Sequence, residues 1–223
     1  MYEKKILLLK QIPVFSLSDV SQIVSGKDYA KKIVRKLLKN SEIYKIKRDS
    51  YTFYNESFLV SPFVIKPSYI TSASALSYHR LITQIPSEVF CATMKKNSRI
   101  TFASPINYIG TRYFFGFENK NYEGFILPIA TPEKAIIDSI GIIPFSIFKE
   151  AVEKANQERM IKYLKEIKKS SIIKRIGYML EKNGHNVYNE LKNKINNRYI
   201  LLDPLARKSG IKNKKWKIII NIK

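Results

Sequence analysis

The sequence has few of the cysteine and histidine residues that form disulfides and metal sites. Its 223 residues include one cysteine, Cys91, and two histidines, His79 and His185. A single cysteine excludes an internal disulfide and a zinc site built on paired thiolates, and the two histidines are too far apart along the chain for metal-ligand spacing. We therefore expect no metal centre and no cofactor.

Long apolar runs are also missing. No stretch approaches the roughly 18 to 20 apolar residues that a membrane-spanning helix requires. The opening MYEKKILLLKQ is too short, and too soon interrupted by charge, for a secretion signal. The sequence therefore predicts a cytoplasmic protein with no membrane partner. Hydrophobic residues make up 45% of the chain, which is enough for a substantial core.

Acidic residues are few relative to basic ones. Lys and Arg number 40 against 18 Asp and Glu, which gives a formal net charge of +22. Residues 141–223 are the most basic part, with 20 basic and 7 acidic side chains. Such an excess repels itself unless an anionic partner offsets it, so nucleic acid is the first candidate partner.

Capping signals in the first part of the chain predict short helices. The apolar Ile6, Leu7 and Leu9 among lysines favour a short first helix that ends before Pro13. Ser16 and Asp19 have the spacing of a capping box, with Asp in the usual Glu place, so a second helix should start at Leu17. Helix, turn and helix in close succession are typical of DNA-binding proteins.

A third helix follows, and it is strongly two-sided. Ser25 and Asp28 repeat the capping signal, and Gly26 lies in the turn between the second and third helices. An apolar stripe at helical spacing predicts the packed side; it consists of Ala30, Ile33, Val34, Leu37 and Leu38. Lysine and arginine surround the opposite side. Such a basic side is also typical of a helix face that is simply solvated.

Residues 42–54, EIYKIKRDSYTFY, predict the wing of a winged helix-turn-helix. Apolar and polar residues alternate on both sides of Arg48-Asp49-Ser50, as in two short strands joined by a turn. We therefore predict a DNA-binding domain over residues 1–56. Its third helix would enter the major groove and its wing would meet phosphates. The predicted DNA-binding residues are Lys27, Lys31, Lys32, Arg35, Lys36, Lys39, Lys45, Lys47 and Arg48.

The stretch SALSYHRL contains two serines, a tyrosine, an arginine and His79. We expect Pro62 and Pro67 to break the chain before a helix that starts near Ser68 or Thr71 and includes this stretch. On that helix His79 would lie beside the apolar stripe. No acidic residue lies between Glu56 and Glu88 to orient a catalytic triad, so a packed or capping histidine is favoured over a catalytic one.

The rest of the middle third predicts strands and one helix. The segments SEVFCATMKK, RITFASPINYIG and TRYFFGF are rich in β-branched and aromatic residues, as strands are. Thr131 and Pro132 predict a helix start in ATPEKAIIDSIG. Glu133 and Asp138 are five apart and share no helical face, so they make a poor acid–base or metal pair. The predicted fold class is α+β, with a larger mixed domain over 57–223.

The last third predicts helices followed by closing strands. SIFKEAVEKANQ, ERMIKYLKEI, SSIIKRIGYMLEKN and VYNELKNKI have helical periodicity, and RYILL and KWKIII favour strands. Trp216 alternates with Ile218 and Ile220, which favours a core position over a base-stacking one. The basic side chains here indicate either a charged surface or a second nucleic-acid contact. They are Lys168, Lys169, Lys174, Arg175, Arg207, Lys208, Lys212, Lys214 and Lys215.

In order and extent these segments resemble a known family. The run PFVIKPSYITSASALSYHRLITQIPSEVFCATMKK, then YFFGF, IATPEKAIIDSI, RYILLDP and KKWKIIIN, is similar to the antitoxin and transcriptional-regulator family called AbiEi. With the N-terminal winged helix, the resemblance covers most of the chain. The wing departs from the family pattern, because Asp49 and Ser50 precede Tyr51 where the family often has a glycine.

The resemblance implies a protein that is not an enzyme. It implies that the winged helix binds inverted repeats in double-stranded promoter DNA and represses its own operon. It further implies that the larger domain counters a nucleotidyltransferase-like toxin, without requiring a stable complex with it.

Other functions stay open on the sequence alone. One is a stand-alone regulator that binds DNA or RNA and has no toxin partner. Another is a nucleic-acid-processing enzyme that holds its substrate on the basic surface. Such an enzyme would need clustered carboxylates for Mg²⁺, and the acids here are scattered among lysines. An RNA-recognition aromatic motif is not evident.

Overall fold

The computed structural model describes residues 6–24 and 26–222, and it confirms the α+β class. The chain forms two compact units. One contains the described residues of Met1–Ile70, together with Ser87–Arg112 and Glu118–Ile129. The other contains Thr71–Pro86, Tyr113–Phe117 and the described part of Ala130–Lys223. The domain boundary predicted near residue 56 lies inside the first unit and stays a prediction.

The first unit begins with helices and a hairpin in the predicted order. A 3₁₀ helix at Leu7–Gln11 is followed by α1 (Leu17–Val24) and α2 (Lys27–Lys39). Strands β1 (Tyr44–Lys47) and β2 (Ser50–Thr52) then pair antiparallel. This order is compatible with a winged helix-turn-helix.

The predicted capping box at the start of α1 is confirmed. The carboxylate of Asp19 accepts hydrogen bonds from the backbone N–H of Ser16 at 2.7 Å and from its hydroxyl at 2.8 Å. The Ser16 hydroxyl in turn accepts from the Asp19 N–H at 3.3 Å. The predicted cap Ser25 lies outside the described residues. Gly26 occupies the N-cap position of α2, with a φ of 155°.

The remainder of the first unit is a helix and a six-stranded sheet. Helix α3 spans Ser57–Val64 and contains Pro62, so the expectation that Pro62 breaks the chain was wrong. The proline removes one amide donor, and the hydroxyl of Ser61 donates to the carbonyl of Phe58 at 3.2 Å, the acceptor that this amide would have used.

The strands of this sheet are β3 Ser68–Ile70, β4 Val89–Thr93, β5 Ser98–Thr101, β6 Pro105–Gly110, β7 Phe117–Tyr122 and β8 Phe125–Ala130. Their order in the sheet is β5-β6-β4-β3-β8-β7. Strand β3 pairs antiparallel with β4 and parallel with β8, while β6 pairs parallel with β4 and antiparallel with β5. Most of TRYFFGF precedes β7 rather than forming a strand. Gly116, with a φ of 71°, interrupts the extended backbone there.

The second unit is mainly helical. Its helices are α4 Ser72–Tyr78, α5 Pro132–Ser139, α6 Phe145–Glu153, α7 Gln157–Glu166, α8 Ser170–Lys182 and α9 Tyr188–Leu191, with a 3₁₀ turn at Lys192–Lys194. A small sheet of order β10-β11-β9 follows, from β9 Ile200–Leu201, β10 Ile211–Asn213 and β11 Ile218–Ile220. The predicted starts of α4 after Thr71 and of α5 after Thr131 are confirmed.

Trp216 lies in the core of the second unit, as predicted. Its side chain is fully buried, and its indole N–H donates to Glu181 at 2.8 Å. The ring packs against Gly177 of α8, where an added Cβ would lie 2.2 Å from the ring. A buried indole offers no open surface to a nucleotide base, so the base-stacking alternative for Trp216 was wrong.

Candidate nucleic-acid interface

A separate small core supports the N-terminal helices and hairpin. Side chains from the 3₁₀ turn, α1, α2 and the start of the hairpin pack together; they are Leu9, Phe15, Val20, Val24, Ala30, Val34, Leu37 and Ile43. Ile33 and Leu38 are partly buried against the same cluster. The predicted apolar stripe of α2 is therefore confirmed, and it fixes which side of α2 points to solvent.

The solvent side of α2 is almost entirely cationic. All six of its predicted DNA-binding residues are exposed; they are Lys27, Lys31, Lys32, Arg35, Lys36 and Lys39. The acid on this helix is Asp28, which is also exposed and pairs with the Lys31 ammonium at 3.0 Å. An exposed pair of this kind contributes little to stability and is screened by salt. The helix thus presents a dense positive surface held on a rigid, packed element.

The hairpin presents three more cations beside a buried residue. Lys45, Lys47 and Arg48 are exposed, and Ile46 between them is buried. The Lys47 ammonium donates to the carbonyl of Val64 at 2.9 Å, so its position is held within the first unit. The alternation of buried and exposed residues confirms the predicted strand pattern.

Two contacts tie the hairpin to the helices. Phe15 and Tyr51 form an antiparallel bridge with backbone hydrogen bonds of 2.9 and 2.8 Å. Asp49, at the hairpin turn with a φ of 55°, accepts a hydrogen bond from the backbone N–H of Leu17 at 2.8 Å. The hairpin and α1 are therefore fixed relative to each other by backbone as well as side-chain bonds.

Aromatic residues on this surface were missed by the sequence reasoning. Tyr29, next to the basic side of α2, is 41% exposed, and Tyr44, at the start of β1, is 37% exposed. Tyr44 packs edge-on against Phe102. Tyrosines beside lysines are common in nucleic-acid contacts. The sequence does indicate them, because each tyrosine lies near the start of a lysine-rich segment.

The second predicted basic surface needs a correction at two positions. Lys168, Lys169, Arg207, Lys208, Lys212, Lys214 and Lys215 are exposed. Lys174 is fully buried, and its ammonium donates to Asn196 at 2.7 Å and to the carbonyl of Arg198 at 2.6 Å. Arg175 is half-buried and donates to the carbonyls of Leu201 and Leu202. These two cations hold the C-terminal segment instead of facing solvent.

His79 has a structural position. It caps the C-terminus of α4, is half-buried, and its Nε2–H donates to the carbonyl of Ala130 at 2.7 Å. This agrees with the packed or capping histidine that the sequence favoured. In the part of the chain that the structure describes, His79 makes no hydrogen bond to a carboxylate.

Glu133 and Asp138 point to different partners. Glu133 is buried and accepts from the backbone N–H of Asn156 at 3.0 Å. Asp138 pairs with the buried ammonium of Lys134 and accepts from the hydroxyl of Thr71 at 2.8 Å. Burial lowers the pKa of Lys134, and the charge of Asp138 opposes that shift. The two acids therefore have separate partners, as their spacing on the helix predicted.

Metal and membrane signals are absent from the described residues. Over 6–24 and 26–222, no group of three or more His, Cys, Asp or Glu side chains is arranged to hold a metal ion. Within those same ranges no helix has the length and apolar character needed to cross a bilayer.

No protein-family model matches this chain, and no curated protein matches it either.

Proposed function

We propose that this protein is a DNA-binding transcriptional repressor, acting in the cytoplasm, that contacts duplex DNA through α2 and the β1–β2 hairpin. The N-terminal half of α2 would enter the major groove, and Lys32 and Arg35, near the centre of the helix, would reach base edges or phosphates. The hairpin would act as the wing, with Lys45 and Arg48 on the backbone.

The observation that carries this proposal is the division of α2 into a buried apolar side and a cationic solvent side. The apolar side packs into the cluster that also holds α1 and the hairpin. The exposed cations of α2 and of the hairpin therefore lie on elements that share this one core. The hydrogen bond between Asp49 and the Leu17 amide fixes the exposed hairpin cations relative to the helices, and phosphate contacts from such neighbours would set the register of a groove-reading helix.

The net charge supports a polyanionic partner. The formal charge of +22 is far from zero for a chain of this size, and it would speed encounter with DNA. Charge alone gives binding without sequence preference, and that binding weakens steeply as salt rises. The proposal therefore requires preference for one sequence at physiological salt, and this requirement makes it testable.

The resemblance to the AbiEi family supports a second activity. We propose that the protein also counters a nucleotidyltransferase-like toxin and that it does so without a stable complex. Co-expression of the full chain with a neighbouring nucleotidyltransferase gene tests this directly. Restored growth supports the antitoxin role. Continued growth arrest at equal protein levels would leave a stand-alone DNA regulator as the function.

The DNA-binding proposal is tested by removing charge from α2 alone. Lys32→Ala combined with Arg35→Ala should weaken binding to the upstream duplex by roughly tenfold or more, because two contacts at the centre of the helix are lost. The matched control is Lys149→Ala with Lys162→Ala, which removes the same charge from exposed positions on α6 and α7. Equal losses in both variants, measured by fluorescence anisotropy, would show that only total charge matters.

A further inference from the structure

The C-terminal segment carries charge of one sign on its surface. Residues 192–222 contain nine Lys and Arg and a single acid, Asp203. That acid is buried, and its carboxylate accepts from the backbone N–H of Leu205 at 2.8 Å. The exposed charges of the segment are therefore all positive. This concentration is separate from α2, because it belongs to the second compact unit.

Cations in this segment converge on Tyr199. The Lys212 ammonium lies 5.5 Å from the centroid of the Tyr199 ring, and the Lys217 ammonium lies 5.7 Å from it. Tyr199 is 36% exposed, so part of its side chain can be reached from solvent. Cation–ring contacts of this kind hold both lysines near the tyrosine at a modest energy.

A third ammonium lies close by. Lys174 is buried, and its two hydrogen-bond acceptors are neutral oxygens of Asn196 and Arg198. Burial lowers the pKa of Lys174, and the charge of Lys217 lowers it further. Among the residues that the structure describes, Lys174, Lys212 and Lys217 form no ion pair with a carboxylate. In contrast, the neighbouring Lys215 pairs with Glu181 at 2.7 Å.

The backbone at Lys217 is also unfavourable for a lysine. Its φ is 53°, in the left-handed region where glycine or asparagine is preferred. The turn therefore carries a side chain that its conformation disfavours, and this side chain adds to a cluster of like charges. Strain of this sort is retained where another requirement outweighs it. Binding of an anion would supply that requirement.

We propose that the exposed ring of Tyr199 and the ammonium groups of Lys212 and Lys217 bind single-stranded nucleic acid, while the buried ammonium of Lys174 holds the neighbouring Arg198 carbonyl. A backbone phosphate would lie against the ammonium groups of Lys212 and Lys217, which have no carboxylate partner among the residues that the structure describes. A single strand also offers an unpaired base to the exposed part of the Tyr199 ring, which a duplex does not.

The extent of the charge favours a strand over a small phosphate compound. One phosphate group would neutralise the charges around Tyr199 and leave the exposed Arg198, Arg207, Lys208 and Lys214 without a partner. A chain of phosphates can meet several of them at once. Nucleic acid is accordingly the phosphate source that the surface fits, and it is distinct from the duplex proposed for α2.

The test uses the full chain carrying Lys32→Ala and Arg35→Ala, so that α2 contributes less to binding and the outcome does not depend on its role. The probe is a fluorescent oligothymidylate of about 16 nucleotides, the upper end of the length that a single-strand site covers. Lys212→Ala with Lys217→Gly should weaken its binding about tenfold and reduce the salt slope by about 1.4, since each lost phosphate contact removes about 0.7.

A separate variant tests the ring. Tyr199→Leu keeps an apolar side chain but removes the stacking surface, so it should weaken oligothymidylate binding about tenfold with little change in salt slope. The control is again Lys149→Ala with Lys162→Ala, two exposed lysines with acids nearby. Because glycine suits the left-handed turn, Lys217→Gly should not lower the melting temperature.

Four outcomes would overturn the proposal. The first is unchanged affinity in the folded Lys212 and Lys217 variant. The second is an equal loss in the control pair. The third is a duplex of the same length that binds as tightly as the single strand while Tyr199→Leu has no effect, which would reduce the site to general attraction for phosphate. Displacement of the probe by millimolar inorganic phosphate at constant ionic strength would likewise identify a small-anion site.

Discussion

The carboxylate of Asp49 accepts a hydrogen bond from the backbone N–H of Leu17, across a distance of 2.8 Å. Asp49 lies at the turn of the β1–β2 hairpin, and Leu17 is the first residue of α1. The first amides of a helix have no partner inside it, so a carboxylate from the hairpin satisfies one of them and also faces the positive end of the helix dipole.

This bond predicts that Asp49 links stability to DNA affinity. Asp49→Ala should lower the free energy of unfolding by about 1–2 kcal/mol, because both the cap and a residue tolerant of positive φ are lost. It should also weaken DNA binding, since the hairpin is less well held. Asp49→Asn keeps an acceptor oxygen and suits the turn, so it should retain most of both properties. Urea unfolding and anisotropy would measure the two effects; an alanine variant as stable as the asparagine variant would contradict the role of this bond.

The contact between Gly177 and Trp216 predicts a substitution that goes against helix propensity. Alanine favours helices over glycine by about 1 kcal/mol. At position 177, however, its Cβ would lie 2.2 Å from the indole ring. Gly177→Ala should therefore destabilise the protein by about 1–3 kcal/mol.

A double variant checks that this loss comes from the ring. Trp216→Phe shortens the aromatic group, so Gly177→Ala should be less damaging in that background than in the natural chain. Urea denaturation of the four proteins gives the coupling energy. A loss of the same size in both backgrounds would assign the effect to the helix itself.

The buried pair of Lys134 and Asp138 predicts an asymmetric response to mutation. Lys134 is fully buried and its ammonium pairs with Asp138. Asp138→Ala would leave that charge without its carboxylate partner and should cost about 3–5 kcal/mol. Lys134→Met combined with Asp138→Asn removes both charges and keeps an acceptor for Thr71, so it should recover most of the loss. Thermal or urea unfolding measures the stability of both variants. A double variant that is no more stable than Asp138→Ala would contradict the prediction.

Cys91 predicts how stability changes at alkaline pH. Burial raises the pKa of its thiol from 9.0 to about 12, and a hydrogen bond with Ser61 opposes the shift. Above pH 9 the thiol of the unfolded chain loses its proton, whereas the buried thiol of the folded chain keeps it. The contribution of Cys91 to the free energy of unfolding is therefore complete below pH 9. It is lost as the pH rises toward 12, by up to about 1.4 kcal/mol per pH unit. Burial also raises the pKa of Tyr108, so the natural chain should lose more than the Cys91 contribution alone.

Comparison with Cys91→Ala isolates the thiol, because this variant should lose stability less steeply over the same pH range. A second readout is chemical. The native thiol should resist a disulfide reagent at pH 8 and react fully in denaturant. Rapid reaction of the folded protein would show that Cys91 is accessible.

Local signals in the sequence predicted the N-terminal elements well. The Ser16 and Asp19 spacing, the apolar stripe of α2 and the alternation around Arg48 each depend on residues a few positions apart. The structure has the helices and hairpin where these patterns placed them. The DNA-binding residues themselves remain predictions, because exposure and charge do not identify a ligand.

Two predictions failed for different reasons. For Lys174 the hydrogen-bond acceptors are distant in sequence, and for Pro62 a side-chain hydroxyl replaces the missing backbone donor. Lys174 was expected at the surface, but Asn196 and the Arg198 carbonyl receive its ammonium. Lys174 precedes Gly177 and Tyr178 by three and four residues, which places all three on one side of α8. That side is buried. Pro62 was expected to end a segment, yet the Ser61 hydroxyl bonds the carbonyl that the proline leaves free.

The most direct test of the central proposal is the anisotropy of the protein with its own upstream duplex and with a scrambled duplex, each at low and at physiological salt. We predict a preference for the upstream duplex that persists at physiological salt, at a ratio of at least about 10³ for specific recognition. Equal binding to both duplexes, vanishing together as salt rises, would contradict it and reduce the basic surface of α2 to a general attraction for phosphate.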